Sequence, residues 1–167
     1  MAFADNGSNA DGARRAPGVT LVDARSGRRL ASWLEGRLHS SQEAGFLGDG
    51  RVAVVDAPDG AARLRLFGRD GEPEASWPLG PAAFACLGSE LRAGQLFVGL
   101  EGTAEAPPTV LLVDLADGHI LHREAGLRPI GRPTASPTAT LFLDTQGALV
   151  RLDPRTGARQ ALLTPRR

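Results

Sequence analysis

The sequence has no lysine, no tyrosine, one cysteine (Cys86), two asparagines and two isoleucines. A lone cysteine excludes an internal disulfide and any cysteine-built zinc site. No apolar run approaches the ~18 residues of a membrane span. The first residues, MAFAD, have neither the basic region nor the apolar core of a signal peptide. The compartment stays open. Neither charge sign is in excess: 19 acidic residues balance 19 basic ones, all of them arginine. That balance removes the charge argument for nucleic acid or an anionic membrane as partner. Arginine without lysine reads as the codon usage of a GC-rich genome. A long apolar pattern of period 3.6 is also missing, which excludes a helical domain and leaves helix below roughly a tenth of the chain.

What is present is turns. Twenty-one glycines and 12 prolines in 167 residues predict many turns in a chain long enough for one domain with a core. One strand–turn–strand unit recurs four times: LVDARSGRRLASW around Gly27, RLFGRDGEPEASW around Gly71, LVDLADGHILHRE around Gly118 and RLDPRTGARQALL around Gly157. The glycines are 44, 47 and 39 residues apart. Just before each stands Ser26, Asp70, Asp117 or Thr156, and four before stand Asp23, Phe67, Asp114 and Asp153. Glycine supplies the positive φ of a tight loop, and Asp, Ser or Thr beside it bonds neighbouring backbone N–H groups.

Strands precede each hairpin in the same relative place: VAVVD from Val52, LFVG from Leu96 and LFLD from Leu141. The opening MAFAD has that place too, so the chain is expected to begin inside a repeat. RLRLF from Arg63 alternates charged and apolar residues, as a half-buried strand does. Cys86 lies in an apolar strand and reads as a small core residue. His119 and His122 are placed on opposite faces of a strand, unable to share a metal, with His122 exposed on the outermost strand.

Four antiparallel strands in ~40–45 residues is the period of a propeller blade. The expected fold is therefore all-β, with about four repeats of a four-stranded blade in one partial or small propeller domain over 1–167. Blades are expected near 1–36 (incomplete), 37–80, 81–128 and 129–167, the last opening with a strand around Ala135. The SPTATLFLD…LVRLDPRTG pattern, matched by LGDGRVAVVD and LVDLADG, resembles the YVTN and quinoprotein amine dehydrogenase-like propellers. It is more loosely similar to WD-repeat proteins, whose Gly-His and Trp-Asp signatures are missing. This resemblance implies architecture more than activity, because propellers host many unrelated functions.

No cofactor or catalytic residue follows from it. Propeller lactonases hold a metal with Glu, Asn and Asp, whereas Asn6 and Asn9 stand together in one loop. Pyrroloquinoline quinone enzymes stack a tryptophan on the cofactor, whereas Trp33 and Trp77 end outermost strands, where blade-to-blade packing suits them. A calcium loop at 6–18 fails on spacing, with Gly7 at the first acidic position and Gly18 at the closing one. His39, Ser40 and Ser41 lie in a polar connection that lacks a positioned base.

Two functional classes remain. One is a non-catalytic interaction module that takes a protein or small-molecule ligand. The other is a segment of a periplasmic-type propeller dehydrogenase or hydrolase, its catalytic groups outside this chain. Loops joining second to third strands are expected to share a face with the links between blades. They are long at 6–18 and 101–108, and short at 57–60 and 145–147. Long loops are kept most often for function. Asp11, Arg14, Glu101 and Glu105 are therefore the candidate ligand-binding residues. A ring of seven or so blades needs roughly 290 residues. The chain is accordingly expected to be the C-terminal part of a longer propeller, and alone to self-associate or aggregate through uncovered faces.

Overall fold

A computed structural model describes residues 2–5, 18–33, 43–92, 94–129, 140–153, 156 and 158–164, to which all that follows refers. The described chain is all-β, apart from one 3-10 turn at Pro58–Gly60. The first sheet has three strands in the order β1 (Ala2–Asp5), β2 (Gly18–Val22) and β3 (Arg29–Trp33). The second runs β4 (Glu43–Phe46), β5 (Val52–Asp56), β6 (Ala61–Phe67) and β7 (Pro73–Pro81). The third runs β8 (Phe84–Arg92), β9 (Gln95–Glu101), β10 (Thr109–Asp114) and β11 (Ile120–Ala125). The fourth runs β12 (Leu127–Pro129), β13 (Thr140–Asp144), β14 (Leu149–Leu152) and β15 (Arg159–Leu163). Chain neighbours pair antiparallel throughout each sheet.

Each sheet's first strand lies against the second strand of the sheet before it. β8 packs on β5 in this way, and β12 packs on β9. β4 packs on β1, so β1 holds the place of a second strand, as its sequence suggests. One strand is placed differently from expectation. Leu127, at the end of the third repeat in the sequence, opens the fourth sheet by pairing with Asp144. The strand expected around Ala135 lies outside the described residues.

Alternation along the strands builds the core. Odd and even residues of a strand point to opposite faces, so a strand packed on both sides must be apolar at every position. β9 is such a strand. Leu96, Val98 and Leu100 join Ala53, Val55, Leu64 and Leu66 of the second sheet in one buried cluster. Phe97, between them, turns the other way and packs with Val110, Leu112, Phe142, Val150 and Leu152. Phe97 and Phe142 meet edge to face, with centroids 6.1 Å apart. β6 alternates as expected over its first half, with Ala61 and Arg63 exposed and Ala62 and Leu64 buried; only towards its end are both faces covered, where Arg65 is partly exposed and Leu66 and Phe67 are buried.

The repeated turns have the chemistry the sequence implies. Ser26 Oγ, Asp70 Oδ1, Asp117 Oδ1 and Thr156 Oγ1 each accept a hydrogen bond from the N–H two residues on, at 2.8–3.3 Å. Gly27, Gly71 and Gly118 have φ of 68°, 86° and 77°. Gly157 lies outside the described residues. The second turn is one residue tighter than the first: Gly68 N–H bonds Glu72 O, whereas Asp23 N–H bonds Arg28 O. Phe67 stands there in place of an aspartate.

Trp77 covers the third sheet's turn, and a side chain at Gly118 would overlap its indole ring. The packing role inferred for Trp77 is therefore met; the Trp33 side chain lies outside what is described. Nothing stands within 4 Å of a Cβ built on Gly27. The two turns make a paired test. Gly27→Ala has only the positive φ to accommodate, at a cost of about 1–2 kcal/mol. Gly118→Ala adds the collision with Trp77 and should cost roughly 2–5 kcal/mol in all. Urea midpoints at unchanged m-value measure the difference.

Candidate functional site

Backbone bonds join the second-to-third-strand loops to the links between sheets, and this defines one face. Ala82 N–H donates to Gly60 O at 2.9 Å, Ala83 N–H to Glu101 O at 3.1 Å, Gly126 N–H to Pro108 O at 2.7 Å and Thr145 N–H to Gly126 O at 3.2 Å. Above these bonds the loops differ. The stretch 102–108 is the longest described, and it is held by its own chemistry. Thr103 N–H bonds Ala106 O at 2.9 Å. Thr103 Oγ1 accepts from the N–H groups of Glu105 and Ala106 at 3.2 and 3.1 Å. Thr109 Oγ1 donates to Pro107 O at 3.1 Å. Gly102 is packed so closely that a Cβ would stand 2.6 Å from Ala106 O.

Of the four candidate residues, Glu101 and Glu105 stand on this face, at the start and within the loop. Asp11 and Arg14 lie outside the described residues. Glu105 is exposed. Glu101 pairs with Arg128 of the fourth sheet at 3.2 Å, a partner no local pattern announces. The pair ties the base of the loop to the next sheet.

Three further polar groups escaped the sequence. Asp56, at the end of β5, is wholly buried and accepts a hydrogen bond from Arg65 Nη2, while Arg63 Nε stands 3.4 Å away. Antiparallel register explains the meeting: Asp56 lies opposite Arg63 and Val54 opposite Arg65, so all three charges share one face. Burial is the main reason the Arg65 guanidinium sits below its usual pKa, with Asp56 acting against it. On the opposite face Glu90 clasps two turns, accepting from Gly48 N–H at 2.6 Å and from Gly94 N–H at 2.9 Å. Glu43 crosses the same sheet junction to accept from Leu87 N–H at 2.8 Å. A cleft of about 280 Å³ opens beside this clasp, lined by Phe46, Leu87, Gly88 and Leu96 among others.

The remaining titratable candidates have structural surroundings. Cys86 is buried, as expected, with Sγ 3.5 Å from Gly99 O. Burial, with the negative charge of Glu43 next, pushes its thiol up from 9.0 to about 11. His119 is in the exposed turn of the third sheet. His122 is less exposed than its outer-strand position suggested: Nε2 lies 3.5 Å from Glu124, which also pairs with Arg159 at 2.8 Å. No three histidine, cysteine or acidic side chains come together among the described residues. No described helix is long and apolar enough to cross a membrane.

No protein-family profile and no curated protein matches the sequence. Among solved structures, the fold is similar to a crystal structure of TolB from Acinetobacter baumannii, with a TM-score of 0.60 at 12% sequence identity. The likeness covers 89% of this chain and 38% of the TolB chain. TolB has a β-propeller domain, and at this identity the likeness concerns the fold, which is propeller-like.

Two expectations concern the buried groups. Asp56→Ala leaves Arg65 without its counter-charge and should cost roughly 3–5 kcal/mol. Replacing the pair together, as Asp56→Leu with Arg65→Met, should recover much of that loss in a double-mutant cycle. For Cys86, the folded thiol has the higher pKa, so folding favours its protonated form. Its contribution to stability is complete below pH 9 and disappears as pH rises towards 11. Cys86→Ala should remove that part of the alkaline loss, read from urea midpoints across the range.

Proposed function

We propose that this chain is a non-catalytic propeller module that binds a protein or small-molecule ligand on the loop face, around Glu101 and Glu105. The observation that carries this reading is the loop 102–108. It is longer than its counterparts at 57–60 and 145–148, yet each end is tied down and its interior is self-bonded. A preorganised loop loses little entropy on binding. Asp11 and Arg14 belong to the reading through the chain's connectivity. Asp5 pairs with Gly18 at the ends of β1 and β2, and residues 6–17 join the two there. The resemblance to YVTN and quinoprotein amine dehydrogenase-like propellers fits a scaffold whose loops, and not its strands, carry specificity.

The full chain, immobilised, should be screened against peptide and metabolite libraries, and the strongest binder mapped by hydrogen exchange. Protection across 101–109 is the expected result. Glu105→Arg should then weaken that binder about tenfold, or 1.4 kcal/mol, while leaving the melting temperature unchanged. Protection confined to the turns at 47–51 and 68–72, or to the cleft beside Phe46, would refute the loop-face site.

A further inference from the structure

β8 does not run in even register along β9. Leu87 lies opposite Val98, and the next pair is Glu90 with Leu96, so β8 carries one residue more than its partner over this step. A bulge of this kind bends its strand and re-aims the side chains beside it. Glu90, the first paired residue past the bulge, reaches the second sheet and accepts from Gly48 N–H. The cleft of about 280 Å³ lies between this bend and the end of β4. Glycine is required at two of its lining positions. A Cβ at Gly45 would stand 2.8 Å from Leu87 Cδ2, and one at Gly88 would stand 2.6 Å from Phe97 O.

The lining combines an apolar body with one anionic end. Leu47, Leu87 and Leu96 are buried, while Phe46 beside them is 44% exposed. Glu90 is the charged residue of the lining, and among the described residues no cation lines the cleft. Its carboxylate is fixed by one N–H on each oxygen, from Gly48 and Gly94, which leaves lone pairs for a further donor. A second carboxylate, Glu43, takes the N–H of Leu87. Arginines of the neighbouring turns are engaged elsewhere: Arg51 with Asp49 and Glu74, and Arg69 with Asp49 O. An arginine side chain has the complementary form. Its stem packs along hydrocarbon, and its planar cationic fork meets a carboxylate with two N–H groups. The volume falls just below the roughly 300–1,000 Å³ of sites that enclose a free small molecule, and suits one side chain inserted from outside. We propose that the cleft receives an arginine side chain of a partner protein, its stem against Leu87 and Phe46 and its guanidinium on Glu90. Arginine is among the residues that most often anchor an interface from within a pocket. The site lies at the opposite end of the strands from Glu105, so it stands or falls apart from the loop face.

The test titrates the full, isotopically labelled chain with the blocked tripeptide acetyl-Gly-Arg-Gly-amide and follows backbone amide shifts. Saturable shifts at 45–47, 87–90 and 96 are expected, with a dissociation constant of about 1 mM for so small a probe. The matching citrulline peptide, close in shape but uncharged, should bind about tenfold more weakly. Phe46→Ala, at an exposed side chain, should weaken the arginine peptide about threefold. Glu90→Gln should remove the preference for arginine over citrulline. Equal binding of the two peptides to the wild type overturns the proposal. So do shifts confined to 101–109, or shifts still unsaturated at about 20 mM peptide. A preference for arginine that survives Glu90→Gln overturns the role of that carboxylate. The wild-type titrations decide the matter even if the Glu90 variant fails to fold.

Discussion

Between the second and third sheets two apolar faces interdigitate, and the rest of the fold is arranged around that contact. Leu64, Leu66 and Val55 from one side meet Leu96, Val98, Leu111 and Val113 from the other, all of them essentially out of water. At roughly 25 cal/mol per Å² of apolar surface, such burial is the main force available to a sheet protein with few aromatics. It also imposes a condition. A sheet that packs on one face only is satisfied by alternating polar and apolar residues. A sheet packed on both faces is not, and β5, β9 and β10 are accordingly apolar almost without interruption.

Apolar contact has no direction, so it cannot by itself fix how one sheet sits on the next. Polar groups along the seams do that. Glu43 reaches from the second sheet to Leu87 N–H of the third, and Glu90 reaches back to Gly48 N–H. Arg123 donates to Leu79 O across the same junction at 3.2 Å. Between the third and fourth sheets Glu101 pairs with Arg128 and Glu124 with Arg159. Bonds from a carboxylate to backbone N–H groups are short and directional. Exposed pairs such as Glu101–Arg128 add little stability but favour one register over its neighbours.

The legible part of this structure is what lies within a few residues along the chain. A hairpin turn is set by its own glycine and its own Asp, Ser or Thr. Four such turns in register were enough to predict an all-β chain of four-stranded antiparallel sheets, though not the first strand of the fourth sheet. The exchanges between sheets were not legible. Glu90 and Gly48 are 42 residues apart, and nothing near either residue marks it as half of a pair. Arg65 looked like a solvent-facing charge because β6 alternates. The alternation is real, and Arg63 is exposed, but the charged face is covered from Arg65 onward, and Asp56 lies opposite Arg63 to receive the charge. The same gap explains the fourth sheet's first strand. Leu127 continues the third repeat in sequence, and one glycine, Gly126 at φ 78°, is enough to carry the chain across to the next sheet.

The two ends of the sheets differ in how freely they can change. At the turn end, side chains enter the turns: Glu90 of the third sheet occupies Gly48 N–H of the second, Trp77 of the second lies on Gly118 of the third, and within the second sheet Arg69 donates to Asp49 O. Lengthening such a turn would displace a neighbour. At the loop end the links are backbone to backbone and lie below the loops, from Ala82 to Gly60, from Gly126 to Pro108 and from Thr145 to Gly126. Those bonds do not depend on which side chains the loop carries, nor on how many residues stand above them. A loop of four residues and one of seven can then rise from the same base. Variation in length and charge is therefore tolerated at this end at little cost to the fold, since closure entropy rises only slowly with loop length. This asymmetry is the physical reason to look for recognition at Glu101 and Glu105 before looking at the turns.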